Sequence, residues 1–353
     1  MAAMWSPIIG LLLLLLQLAP SSSSYIQLPL QGSVHPVGYF YVTMNIGGKP
    51  YSLDIDTGSN LTWLECKYPG QQCNPCQCDS RHPHECHYHI RYAGGTSSDG
   101  FIVNDTVSVN VLSPSLPSRR VQIFFGFGCG CNQQPQKKSP VDGLLGLGMG
   151  RVGFVRQLKA HNLITKDIIG HCLSIDGGGY LFVGEHHLPD HITWAPMRKY
   201  SYHYTPGPAE LLFGTTKISN KMVVFDSGST YTYIPHRAYM DLVKQVEKSV
   251  RSSLTKVHDP AHLECWRGPF HSIHEVKRKF KSLVLEFQNH VAMQIPPENY
   301  LVLTEQKNVC LGILDGTKDG VGEMILIGDV TMQDLLVIYD NEQKRIGWVS
   351  KKC

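Results

Sequence analysis

Asp54-Ile55-Asp56-Thr57-Gly58-Ser59 decides how this chain is read, because Val224-Phe225-Asp226-Ser227-Gly228-Ser229-Thr230 repeats it. In each copy apolar residues run into an aspartate, then a small hydroxyl residue, a glycine and a second hydroxyl residue. The apolar runs read as strands, and glycine permits a turn that other residues make only at a cost. The hydroxyls can hydrogen-bond a carboxylate or nearby backbone. The aspartates stand 170 residues apart, 56 to 226, in a chain of 353. That spacing suggests two related lobes, each presenting one carboxylate. A second element also recurs: Gly146 of Leu144-Leu145-Gly146 lies 90 residues after Asp56, and Gly328 of Leu326-Ile327-Gly328 lies 102 after Asp226.

Working outward, Tyr39 to Ile46 reads as a strand, Gly47-Gly48 as a tight turn, and Tyr51 to Asp56 as the returning strand that delivers Asp56. Asp54 shares a strand face with Asp56 by the period of two. Leu61 to Leu64 continues in extended form to Cys66. His89 to Tyr92 and a strand from Phe101 flank the Gly-rich tip Ala93 to Gly100, a hairpin with a mobile end. Further strands are expected at Val107–Val111, Val121–Phe125, Leu211–Phe213, Met222–Phe225, Leu283–Phe287, Val309–Ile313 and Met324–Ile327, with a last hairpin of Leu336–Tyr339 and Arg345–Val349. Apolar spacing predicts helices over Phe154–Leu163 and from Pro235 to about Leu254.

Composition agrees with a mainly-β globular protein. Hydrophobic residues make up 42% and charged residues 17%, with 33 glycines and 21 prolines punctuating short apolar runs. A formal charge of +3 is too small and too scattered to suggest nucleic acid. No internal stretch is apolar enough for a membrane span. Ile8 to Leu16, then Pro20 and Ser21 to Ser24, reads as a secretory signal over residues 1–24, with an uncleaved anchor as the bland alternative. Ser350-Lys351-Lys352-Cys353 carries no hydrophobic tail of the lipid-anchor kind. Entry to the secretory pathway would lead outside the cell, to the cell wall or to a vacuole.

Eleven cysteines on a secretory route imply disulfides, and the odd count leaves at least one thiol over. Cys66, Cys73, Cys76, Cys78 and Cys86 crowd beside His82, His84, His87 and His89. Cys73-x-x-Cys76 has zinc-ligand spacing, but the oxidising route favours a disulfide-tied loop with solvated histidines. Asn104-Asp105-Thr106 is a glycosylation acceptor pattern; Asn60-Leu61-Thr62 also matches but lies beside the first aspartate turn.

From Tyr39 to Val349 the sequence resembles the pepsin-like aspartic proteases, and within them the plant atypical, nucellin-like group. Both aspartate turns and both apolar-apolar-Gly elements match the wider family. Phe225 to Tyr233, Ile295-Pro296-Pro297-Glu298-Asn299-Tyr300 and Ile327 to Asp334 look like nucellin. The resemblance implies a mainly-β, bilobal fold with a cleft between lobes 25–195 and 196–353, a polypeptide substrate, a monomer, and neither metal nor cofactor. Asp56 and Asp226 would share a proton and activate water. Thr57 and Ser227 would brace the loops, Gly58 and Gly228 would supply N–H groups, and Ser59 and Ser229 would contact the outer oxygens. Tyr92 matches a flap tyrosine and Trp63 its aromatic partner. Cys265 with Cys310, and Cys172 with Cys353, match disulfide positions.

The chain departs from the pattern in a shortened Cys66–Tyr92 segment. It also has only about 14 residues between Ser24 and Tyr39 where pepsin relatives carry a prosegment, and it lacks the saposin-like insert of vacuolar plant members. Acid endopeptidase activity is the leading expectation. The alternatives are a binding or inhibitor protein on the same fold and a zinc-binding extracellular module.

Overall fold

The computed structural model describes residues 23–66, 87–134, 140–260 and 262–353. The expected signal and the Cys73–Cys86 cluster therefore lie outside the described residues, apart from Ser23 and Ser24.

The first half contains β1 (Tyr25–Ser33), β2 (Tyr39–Ile46), β3 (Lys49–Asp56), β4 (Trp63–Glu65), β5 (His87–Arg91), β6 (Ser97–Leu112), β7 (Arg119–Gln134), β8 (Gly143–Gly146), helix α1 (Phe154–Ala160), β9 (Ile168–Leu173), β10 (Gly179–Gly184) and β11 (Thr193–Pro196). The second contains β12 (Gly207–Phe213), β13 (Thr216–Phe225), β14 (Thr232–Ile234), helix α2 (His236–Val250), β15 (Thr255–Asp259), β16 (His262–Arg267), β17 (Leu283–Phe287), β18 (Ala292–Ile295), β19 (Leu301–Leu303), β20 (Asn308–Leu311), β21 (Ile313–Asp315), β22 (Ile325–Ile327), β23 (Leu335–Asp340) and β24 (Arg345–Ser350). The expected lobe boundary at 195/196 falls inside β11.

Three sheets organise these strands. The largest runs β11-β24-β23-β9-β10-β1-β2-β3-β8-β4-β7-β6-β5, so the last two strands of the chain pair into the sheet that holds the first. A seven-stranded sheet runs β18-β17-β12-β13-β22-β14-β21, and a smaller one β15-β16-β20-β19. Alternation places Phe40, Val42, Met44 and Ile46 of β2 in the core, and the α2 face of Ala238, Tyr239, Leu242, Val243 and Val246 does the same in the other lobe.

The sequence repeat becomes a repeated strand arrangement. β3 pairs in parallel with β8, placing Asp54 opposite Leu144 and Asp56 opposite Gly146. β13 pairs in parallel with β22, placing Val224 opposite Leu326 and Phe225 opposite Ile327. β4 then returns antiparallel to β8, as β14 does to β22.

Several elements differ from their expected extents. The strands expected from Phe101 and at Val107–Val111 are one strand, β6, pairing along its length with β7; the polar Asn104-Asp105-Thr106 between them sits on the outer part of that hairpin and does not interrupt it. Val309–Ile313 divides at Gly312, whose N–H bonds Tyr300 O, and its halves enter different sheets. Helix α1 stops at Ala160 because Asn162 turns to φ 56°. Helix α2 ends at Val250 with Pro235 capping its start, and residues 251–253 form a turn.

Cys172–Cys353 and Cys265–Cys310 are disulfides, as the resemblance implied. Cys66 joins Cys129, which ties the first aspartate's loop to β7 and removes Cys66 from any zinc-binding set.

Candidate active site

β3 and β13 end at Asp56 and Asp226, and the two loops that follow meet between the lobes. The side chains of Asp56 and Asp226 face each other across the lobe junction, each carboxyl lying against the glycine of the opposite loop. Gly58 N–H donates to Asp56 Oδ1 at 2.7 Å, and Gly228 N–H donates to Asp226 Oδ1 at 3.0 Å. Both glycines are required by space. A Cβ on Gly58 would lie 2.6 Å from Asp226 Oδ1, and one on Gly228 would lie 2.5 Å from Asp56 Oδ1.

Below the carboxyls, Thr57 and Ser227 cross between lobes. Thr57 N–H donates to Ser227 Oγ at 3.1 Å, and Ser227 N–H returns the bond to Thr57 Oγ1 at 3.0 Å. Ser227 Oγ also donates to Ile55 O at 2.9 Å. Ser229 Oγ donates to Asp226 Oδ2 at 3.2 Å. Ser59 behaves differently from that expectation: its backbone N–H reaches Asp56 Oδ1 at 3.1 Å, while its hydroxyl lies beside the carboxyl without a well-formed hydrogen bond.

Two threonines absent from the expected site complete the frame. Gly146 N–H donates to Thr62 Oγ1 at 3.1 Å, and Gly328 N–H donates to Thr232 Oγ1 at 3.1 Å. Each threonine stands six residues after its aspartate, 56 to 62 and 226 to 232, and that shared offset is the sequence signal for them. The glycines let the loop backbone lie directly against them: a Cβ on Gly146 would meet Asn60 C at 2.6 Å, and one on Gly328 would meet Tyr231 O at 2.1 Å.

Tyr92 follows β5 at the hairpin tip, where its N–H bonds Thr96 O and its carbonyl accepts from Gly95. Trp63 Nε1 donates to Tyr92 Oη at 2.6 Å, and burial pushes the phenol's pKa up. Asp56 also acts electrostatically on this phenol, raising it further.

Asp56 is only 4% exposed, and its carboxyl is raised above the ordinary range by burial first and by the charge of Asp226 second. Asp54 and Asp329 are raised well above that range as well, again chiefly by burial, and both feel the carboxyls of Asp56 and Asp226. Neither belongs to the site that the sequence predicts. One possible metal-ligand group among the described residues, Asp259 with Cys265 and Cys310, has its two sulfurs locked in a disulfide. The cysteine–histidine cluster read as a possible zinc knot lies largely outside the described residues. Asn104 is exposed on β6.

Two aspartate turns interlocked across pseudo-symmetric β lobes define the pepsin-like aspartic proteinase class, and this chain belongs to that family among its atypical plant members. Family descriptions "Xylanase inhibitor N-terminal" and "Xylanase inhibitor C-terminal" match residues 40–185 and 206–350. The chain is 40% identical to an aspartic proteinase of Oryza sativa subsp. indica, over 97% of this chain and 94% of the relative. It is 26% identical to "Aspartic proteinase 36" of Arabidopsis thaliana, over 93% and 77%. Among solved structures, conglutin gamma, a basic 7S globulin from lupine seeds, superposes with TM-score 0.75 at 17% identity, over 93% of this chain and 95% of that one. The aspartic proteinase from Irpex lacteus superposes with TM-score 0.67 at 18% identity, over 93% and 97%.

Proposed function

We propose that the protein is an aspartic endopeptidase that cleaves polypeptides in acid. The observation that carries this reading is the carboxyl pair itself: two aspartates facing each other across the lobe junction, each held by the N–H of its own loop glycine and braced by reciprocal Thr57–Ser227 bonds. Two carboxyls this close do not both ionise readily, so they hold one proton between them and titrate as a pair. The ionised member takes a proton from water, while the protonated member hydrogen-bonds the scissile carbonyl oxygen. Water then adds to the carbonyl carbon, and proton transfer to the leaving nitrogen completes hydrolysis. Burial and the neighbouring charge raise the Asp56 carboxyl, so the pair keeps its shared proton above the ordinary carboxyl range.

In this reading the Tyr92 hairpin closes over bound peptide, and Trp63 sets the position of its phenol. The signal-like 1–24 segment and the disulfides support a secretory destination, and exposed Asn104 is available for glycosylation there. Among the described residues no helix is long and apolar enough to cross a membrane. We take the working unit to be one chain, because both carboxyls come from it.

Digestion of an unfolded protein at about pH 3 to 5, with and without pepstatin, tests the proposal. Pepstatin-sensitive fragments are expected; a folded, signal-free chain that produces none contradicts it. A second reading, a glycosidase-binding protein, draws on the xylanase-inhibitor names of both matched family descriptions. It predicts saturable inhibition of a xylanase by the folded chain, with no peptide cleavage.

A further inference from the structure

Asn104 and Thr106, the two ends of the acceptor pattern Asn104-Asp105-Thr106, stand two residues apart on β6 and therefore point to the same side of the sheet. β7 pairs antiparallel with β6, placing Gly126 opposite Asn104, Phe125 opposite Asp105 and Phe124 opposite Thr106. Directly opposed residues share a face. Ile123 and Phe125 are buried on the inner side, so Phe124 and Gly126 lie on the outer side with Asn104 and Thr106. Ser108 and Gln122 continue that outer face, where Gln122 Nε2 donates to Ser108 Oγ at 3.3 Å. Phe124 is the apolar exception on it. The residue is 71% exposed, and none of the other phenylalanines is exposed.

A lone exposed apolar residue is ordinary on a protein surface. The setting of Phe124 is not. Asn104 is its diagonal neighbour across the strand pair, at about 7–8 Å by sheet geometry. The residue facing Asn104 directly is a glycine, and a Cβ there would lie 3.1 Å from Asn104 Oδ1 and 3.5 Å from Gln157 Oε1. The Asn104 amide thus leans over bare backbone. Gln157 is itself fixed: its Oε1 accepts from Gly126 N–H at 2.8 Å, and its Nε2 donates to Gly126 O at 2.8 Å and to Val152 O at 3.0 Å. Val152, half exposed, lies at the edge of the same spot. The other acceptor pattern offers no such place, because Asn60 Oδ1 accepts from Gly150 N–H at 2.7 Å and lies against Gly148.

We propose that Asn104 carries an N-linked glycan whose first sugar lies over Gly126 and packs on Phe124, so that the chain's own carbohydrate covers this apolar spot. One face of N-acetylglucosamine presents C–H groups, which the electron-rich face of an aromatic ring attracts. Gly126 leaves room for the sugar, and the diagonal sets its distance to the ring. The donor is a lipid-diphosphate-linked oligosaccharide of the secretory pathway. The bond from Asn104 Nδ2 to the sugar's C1 forms as the bond from C1 to the diphosphate oxygen breaks. The lipid diphosphate leaves, and Nδ2 gives up one proton. The inference rests on the secretory destination proposed above and is independent of the protease reading.

The test produces the full chain in plant suspension cells, once with its own leader and once with residues 1–24 replaced by a leader known to direct secretion. Mass spectrometry of the Asn104 peptide should show the glycan in both, and Asn104→Gln should lose it. Hydroxyl-radical footprinting then reads Phe124. Its oxidation should rise several-fold when an amidase removes the whole glycan, and should stay low when an endoglycosidase leaves the first sugar in place. The thermal midpoint of Asn104→Gln should fall by on the order of 2 °C. Phe124→Ala should abolish that difference, since no ring is left to cover. An unmodified Asn104 in protein secreted by the known leader overturns the proposal, as does equal oxidation of Phe124 with and without the glycan. Protection that follows protein concentration rather than the glycan marks a contact between copies, and also overturns it. Modification with the known leader alone upholds the site and sinks the secretory reading.

Discussion

Gly58 and Gly228 sit where a methyl group would press on the opposite carboxylate, which makes them the most sensitive positions that titrate nothing. Neither has a left-handed φ, so alanine is tolerated by the backbone and the clash is with Asp226 or Asp56 alone. Gly58→Ala should therefore leave the protein folded but reduce kcat/KM by on the order of 100-fold, the usual consequence of displacing a reacting group by about an ångström. Trp63→Phe keeps an aromatic side chain, though a smaller one, and removes the donor to Tyr92 Oη. A loss of about 1 kcal/mol is expected, read as a several-fold rise in KM in steady-state kinetics. The dyad and its hydroxyl neighbours were legible in the sequence because that chemistry is local: aspartate, hydroxyl, glycine, hydroxyl. Asp54 and Asp329 were not, because only the folded chain takes Asp329 out of solvent and brings both carboxyls under the influence of Asp56 and Asp226. On a strand diagram Asp54 is an ordinary polar residue.

The elements that carry these residues depend on bonds between non-neighbours. Thr62 and Thr232 each accept from the glycine N–H that ends β8 or follows β22, locking the aspartate loop to the neighbouring strand. Thr232→Val leaves Gly328 N–H buried without an acceptor and should lower stability by roughly 1–3 kcal/mol in denaturant unfolding. Thr232→Ser should recover most of the loss. At this scale the periodic strands were readable, whereas their ends were not. β6 continues through Asn104-Asp105-Thr106 because β7 pairs with it residue by residue, and Gly312 divides an apolar run because Tyr300 claims its N–H. Partner strands settle such boundaries, and a single segment contains no trace of them.

For the whole molecule, pH acts through buried groups of opposite sign. Asp54, Asp56 and Asp329 hold protons more tightly in the folded than in the unfolded state, so their contribution is complete below the ordinary carboxyl range and is lost as pH rises toward and past neutrality. His171 is fully buried, bonds Tyr339 Oη at 3.1 Å, and is pushed by burial from 6.5 down to about 3. Its contribution is complete above pH 6.5 and is lost as pH falls toward 3. Above pH 6.5 only the carboxyls act, so the thermal midpoint should fall steadily from there to about pH 8. Cys172–Cys353 closes 181 residues and fastens the C-terminus to β9. Cys353→Ser should cost about 2–5 kcal/mol in chemical unfolding. The bilobal plan was legible because the repeat was. The stitching of β23 and β24 into the sheet of β1 was not, since strand order depends on which edges remain unpaired.

The central claim is that Asp56 and Asp226 act as one catalytic unit. It is tested most directly by the rate of acid cleavage of an unfolded protein by Asp56→Asn and Asp226→Asn, each shown to be folded, beside wild type. The account predicts measurable cleavage by wild type and at least about a 1,000-fold loss in either variant. Cleavage that persists in either variant at near the wild-type rate would contradict it.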